Sequence, residues 1–170
     1  ERLAEADLVA LGLEDPEKFG FRRLESALGM SGVRYEVATI YTAEPSELGQ
    51  FDVILFFGVL YHLIHPMLGV EKACGVAKGE VLLASHVMLT DQDVPWCLLF
   101  PNAELNGDDS NWSGPNVPWV RSALAIQGFE VKREQPYNGD FMTFYGRRAS
   151  NSHTRNVRLN AHRDTTLFGK

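Results

Sequence analysis

Short apolar runs alternate with stretches of helical spacing along most of the chain. Residues 6–11 (ADLVAL) read as a strand, ending at Gly12-Leu13-Glu14-Asp15-Pro16, a turn that carries two carboxylates. Over residues 19–28, Phe21, Leu24 and Leu28 share one helical face, and Gly29 stands where such a helix stops. Residues 33–37 alternate apolar and polar side chains, as a half-buried strand does. The run FDVILFF at 51–57 is nearly unbroken and closes at Gly58, which predicts a central strand of a parallel sheet, buried on both faces.

A helix is predicted over residues 66–77, then a Lys78-Gly79 turn and a second buried strand over 80–85. Residues 88–118 mix Pro, Asn, Asp and Gly with Trp96, Phe100 and Trp112; long aromatic-bearing loops of this kind serve as lids or binding segments. A helix over 117–127 closes at Gly128, and strands follow at 129–133 and 141–145. Strands alternating with helices predict an α/β domain over residues 1–148, with a mostly parallel sheet and flanking helices. Residues 149–170 are polar and read as a basic, disordered tail. In parallel sheets ligands bind at the carboxyl ends of strands. Those ends are Glu14-Asp15, Tyr41-Thr42-Ala43, Gly58 to His62, and Ser85-His86.

Four segments, in order, resemble those of class I S-adenosylmethionine-dependent methyltransferases. FDVILFFGVLYHLIHP (51–66) resembles the family's fourth-strand motif, and its GVLYHL form is similar to the branch of tRNA wobble-uridine carboxymethyl-transferring enzymes and their small-molecule relatives. EDPEKFGFRRLESALG (14–29) has the spacing of that branch's second-strand acid and following helix. GEVLLASHV (79–87) looks like the fifth strand, and SNWSGPNVPWVRSALAIQGFEV (110–131) resembles the segment before the last strands.

The resemblance implies a partial Rossmann-like fold, S-adenosyl-L-methionine as cofactor, and methyl transfer to a small-molecule or tRNA acceptor. It places Asp15, with Glu14 as the alternative, on the ribose hydroxyls; Asp15 before Pro16 equally fits a helix N-cap. It places Thr42 and Ala43 against the adenine, where a plain turn is the other reading. Phe57 and Tyr61 match cofactor-lining positions, and both rings could equally be packed in the core. Gly58 would let the backbone approach a ligand closely. Methyl transfer depends mainly on aligning acceptor and sulfonium, so few catalytic side chains are needed. His62 is the candidate general base, because an imidazole takes up protons near neutrality. Trp96 and Trp112 could line an acceptor pocket, whereas Trp119 is expected to pack within its helix.

The chain also departs from the family pattern. It contains no GxGxxG-like loop, Thr42 stands where an acid is common, and Ala84 where relatives carry Glu. No basic residue for a carboxylated cofactor occurs at Tyr137-Asn138-Gly139-Asp140, which favours ordinary S-adenosylmethionine. The chain is therefore expected to be a fragment of a larger enzyme that binds cofactor weakly or not at all by itself. A non-catalytic scaffold derived from such an enzyme is the alternative.

Composition adds limits. Hydrophobic residues at 45% and charged residues at 22% are ordinary for a soluble domain. No apolar run is long enough for a membrane span and no signal peptide opens the chain, so a cytoplasmic location is expected. Cys74 and Cys97 are widely spaced and read as free thiols. His62 and His65 lack further ligands, so no metal is expected. Of the net charge of -6, residues 147–170 carry six basic groups against one acid, leaving -11 on the rest. A body so acidic repels phosphate, and any weak RNA contact would fall to the tail.

Overall fold

The computed structural model describes residues 25–29, 32–34, 36 and 38–150. The chain divides into two compact units, Glu1–Ala38 and Thr39–Lys170. In the first, residues 25–27 form a helical turn, and Gly29 at φ 60° ends it, as the spacing predicts. Val33, Arg34 and Glu36 carry no strand; Arg34 and Glu36 instead form an ion pair at 3.2 Å. The predicted strand at 6–11, Glu14, Asp15 and residues 151–170 lie outside the described residues.

The second unit opens with a 3-10 turn, Ile40–Thr42, and a short helix α1, Pro45–Leu48. Strand β1 is Phe51–Phe57, followed by a 3-10 turn at Leu60–His62, helix α2 at Pro66–Gly75 and strand β2 at Ala77–His86. Short strands β3 (Cys97–Leu99) and β4 (Ser113–Pro115) pair with each other. Helix α3, Val117–Ile126, leads into β5, Phe129–Asn138, and β6, Phe141–Arg148.

The main sheet has the order β1-β2-β6-β5. Only β1 and β2 are parallel; β6 runs antiparallel to both β2 and β5. The sheet is thus mixed rather than mostly parallel. The cause is chain length: α2 provides the crossover that a parallel pair needs, while β5 and β6 are joined by Gly139-Asp140 alone, which permits only a hairpin. Lys78 and Gly79, predicted as a turn, lie inside β2. The Arg148 guanidinium fixes that start, donating to the carbonyls of Ala77 at 2.6 Å and Lys78 at 2.9 Å while lying 4.4 Å from the Phe129 ring centre. Arg147 and Arg148 belong to the sheet, so the basic groups beyond it are Arg155, Arg158, Arg163 and Lys170.

Strand β1 also departs from expectation. Among the described strands it is an edge, and Phe51, Val53, Leu55 and Phe57 are 45%, 45%, 64% and 49% exposed. Its other face is covered: Phe56 packs with Leu83, Val70, Val120, Leu124 and Phe144 in one core. Helix α2 approaches this face closely at Gly69, where a Cβ would overlap Leu63 and lie 3.7 Å from the Phe56 ring. No described helix is long and apolar enough to cross a membrane.

The segment 88–116 is anchored by Asn116, which is fully buried. Its Oδ1 accepts from Trp119 N at 2.9 Å, capping α3, and from Trp96 N at 3.1 Å; its Nδ2 donates to the Val94 carbonyl at 2.8 Å.

Candidate functional site

Because β1 and β2 are parallel, their carboxyl ends lie side by side. Gly58 N donates to the Ala84 carbonyl at 2.9 Å, one residue past the end of β1. Gly58 then leaves the sheet at φ 68°, a conformation that glycine adopts without strain. A Cβ there would meet nothing nearer than the Tyr61 hydroxyl at 3.7 Å, so this backbone is open. Tyr61 stands on the 3-10 turn that follows, with its ring 4.2 Å from that of His62 and 4.9 Å, edge on, from that of His86. Burial, then the charge of Asp108, raises the Tyr61 phenol above its ordinary value, so it stays a neutral hydroxyl near neutrality.

His62 faces a loop. Its Nδ1 lies 3.0 Å from the Ser110 carbonyl and 3.2 Å from Ser110 Oγ. Ser110 donates to Asp108 from Oγ at 2.7 Å and from N at 2.9 Å, and these bonds hold the Asp108 carboxyl below the usual range. The loop continues across the turn: Trp112 N donates to the Tyr61 carbonyl at 2.8 Å and Ser113 Oγ to the Leu60 carbonyl at 3.1 Å. The long segment is thus tied to the turn that follows β1. Trp112 is partly exposed there, Trp96 Nε1 is buried without a hydrogen-bond partner among the described residues, and Trp119 packs against the core.

The sheet end carries a second histidine. His86 closes β2, and its Nδ1 lies 3.0 Å from Asp140 Oδ1 in the β5–β6 turn. The sequence marks Asp140 only as part of a stretch without a basic residue; its pairing with His86 is not visible there, because the partner is 54 positions away and is reached through the β2–β6 register. The available signal is the polar Asn138-Gly139-Asp140 tip of an otherwise alternating pair of strands.

Other expected residues stand apart. Thr42 spends its hydroxyl on the Thr39 carbonyl at 3.0 Å, Ala43 is buried, and Tyr41 Oη accepts from His65 N at 3.0 Å beside the start of α2. No hydrogen bond or ring contact among the described residues joins Thr42 or Ala43 to Gly58 or Tyr61. His65 packs near Tyr41, and no group of three metal-binding side chains occurs among the described residues.

Two cavities flank this end of the sheet. One, of about 360 Å³, is bordered by Phe57, Arg133, Tyr137 and Tyr145; the other, of about 400 Å³, by His86, Tyr137, Asp140 and Phe141. Tyr137 borders both.

No protein-family model matches the chain, and no curated protein matches it in sequence. Solved methyltransferase structures match it in fold. An O-methyltransferase family protein from Burkholderia thailandensis aligns with TM-score 0.59 and 20% identity over 77% of this chain and 40% of its own. Magnesium protoporphyrin IX methyltransferase (ChlM) from Synechocystis PCC 6803, with bound SAH, aligns with TM-score 0.55 and 12% identity over 76% of this chain and 57% of its own. The N-terminal domain of EvdMO1, solved in the presence of SAH and D-fucose, aligns with TM-score 0.53 and 20% identity over 75% of this chain and 60% of its own. The likeness is one of fold, an α/β Rossmann-like arrangement, which in this chain has a mixed sheet. The chain spans about three fifths of the length of the last two structures.

Proposed function

We propose that the chain forms part of an S-adenosylmethionine-dependent methyltransferase, with cofactor and acceptor meeting at the carboxyl ends of β1 and β2. The observation that carries this is the open, left-handed backbone at Gly58 where two parallel strands end, with the Phe57 and Tyr61 rings beside it. These residues fit the cofactor. A side chain at position 58 would fill the space that a ligand needs, and aromatic faces attract cations such as a sulfonium. When bound, the cofactor supplies a methyl group carried on a positively charged sulfur. Gly58, Phe57 and Tyr61 would hold it. The hydrogen-bonded 108–113 segment, to which His62 is tied through Nδ1, would keep water from the reacting groups.

The acceptor favoured is a small molecule. The GVLYHL motif supports the tRNA-modifying branch, but the acidic body repels phosphate, and the basic groups beyond β6 number four against one acid. Incubating the full-length enzyme that contains this chain with methyl-labelled S-adenosylmethionine and, separately, a small-molecule pool or tRNA tests this. Label in the small-molecule pool is expected. Label in tRNA alone would move the reading to the tRNA branch, and label in neither would favour a non-catalytic scaffold.

A further inference from the structure

The His86–Asp140 pair has the geometry of a proton acceptor held in one orientation. A carboxylate only accepts hydrogen bonds, so the proton in the 3.0 Å contact sits on His86 Nδ1, and a neutral ring presents a lone pair at Nε2. Among the described residues no hydrogen bond occupies Nε2. Asp140 is itself held, since its carbonyl accepts from Val87 N at 2.9 Å. The hairpin tip is thus tied to the end of β2 by backbone and side chain together. The His86 side chain is 23% exposed and that of Asp140 42%, so the pair is reachable from solvent.

The surroundings are aromatic. Phe141 stands perpendicular to His86 with ring centres 5.0 Å apart, Tyr61 lies edge on at 4.9 Å, and Tyr137 is 6.1 Å from Phe141. His86, Phe141 and Tyr137 border the cavity of about 400 Å³, and Tyr137 also borders the cavity lined by Phe57. Tyr61 connects the two ends, with its hydroxyl toward Gly58 and its ring against His86.

We infer that this cavity takes a small aromatic acceptor bearing a hydroxyl group, with His86 Nε2 as its proton acceptor and Asp140 as the residue that positions His86. The inference rests on the methyl-transfer reading above and names its acceptor class. Aromatic walls suit a flat ring. An un-ionised hydroxyl is a weak nucleophile that a base must activate, whereas a carboxylate acceptor would already be ionised. In the step, the acceptor O–H bond breaks and its proton passes to Nε2. The oxygen lone pair forms the new bond to the methyl carbon, and the electron pair of the broken carbon–sulfur bond stays on sulfur. A methyl aryl ether, a thioether and an imidazolium result; Asp140 stabilises the imidazolium until its proton leaves to solvent.

The test uses the full chain and para-nitrophenol, whose ionised form has its own visible band. At a pH where the free phenol is largely un-ionised, added protein should raise the phenolate band saturably and shift the amide NMR signals of Tyr137 and Phe141. H86Q should lose the band while the amide shifts remain. D140N should weaken the band and change the His86 ring-nitrogen shifts from those of an Nδ1-protonated imidazole to those of mixed tautomers. An undiminished band in H86Q, a bare Nδ1 in the unaltered protein, or no shift at Tyr137 and Phe141 would each overturn the proposal. S-adenosylhomocysteine is titrated separately. Shifts at Gly58 with none from the phenol sink the acceptor assignment alone; phenol shifts with none from S-adenosylhomocysteine sink the methyl-transfer reading on which the acceptor role rests.

Discussion

At the two cysteines, burial decides the chemistry. It pushes the Cys74 thiol up to about 12 and the Cys97 thiol up to about 11, the latter against opposing hydrogen bonds at Gly114 and Ser113. Only the thiolate is an effective nucleophile, so both should resist iodoacetamide at mildly alkaline pH. As pH rises, Cys97 should react before Cys74, followed by mass spectrometry of the labelled peptides; Cys74 reacting first would contradict the burial. The linkage has a definite sign. Above the ordinary thiol value of 9.0 the folded chain holds protons that the unfolded chain releases, so this contribution to stability falls as pH climbs toward the folded values. At the same scale, the nearness of Gly58, Tyr61 and His62 to one another was legible because one contiguous motif carries them. That of Asp140 to His86 was not, because only the folded β2–β6 register brings them together.

Strand β1 shows what a hydrophobic run conceals. FDVILFF reads as uniformly apolar, yet alternate side chains have opposite fates, with Phe56 4% exposed and Leu55 64%. Strand geometry sends successive side chains to opposite faces, and among the described elements only one face is packed. Phe56→Ala should therefore cost about 3–5 kcal/mol, and Leu55→Ala under about 0.5 kcal/mol, by denaturant unfolding. Equal losses would show that both faces of the strand are packed. Helix boundaries were more legible than sheet direction. Gly29 and Gly128 are local stops that do not depend on tertiary context, and Asn116 has the cap position before α3. The antiparallel β5–β6 hairpin depends instead on how far each strand extends: residues 129–133 and 141–145 suggested short strands, but β5 reaches Asn138 and β6 begins at Phe141, leaving two residues to turn.

For the whole molecule, the α/β class and the order of the main-sheet strands and their helices after residue 50 follow from the alternation of apolar runs; β3 and β4 do not, because they are three-residue strands inside the segment 88–118 that reads as a loop. What the alternation cannot carry is which strand lies at an edge and which face is covered, since both depend on contacts distant in sequence. The charge distribution changes in the same way: two of the six basic residues counted toward a tail are structural parts of β6, one of them capping the start of β2. The proposed site of the adenosyl cofactor is the carboxyl ends of β1 and β2. Titrating the chain with S-adenosylhomocysteine while following assigned amide NMR signals tests it most directly, because weak binding is still mapped residue by residue. Saturable shifts centred on Phe57, Gly58 and Tyr61 are expected; no shift at high ligand concentration, or shifts confined to β5 away from Gly58, would rule that site out.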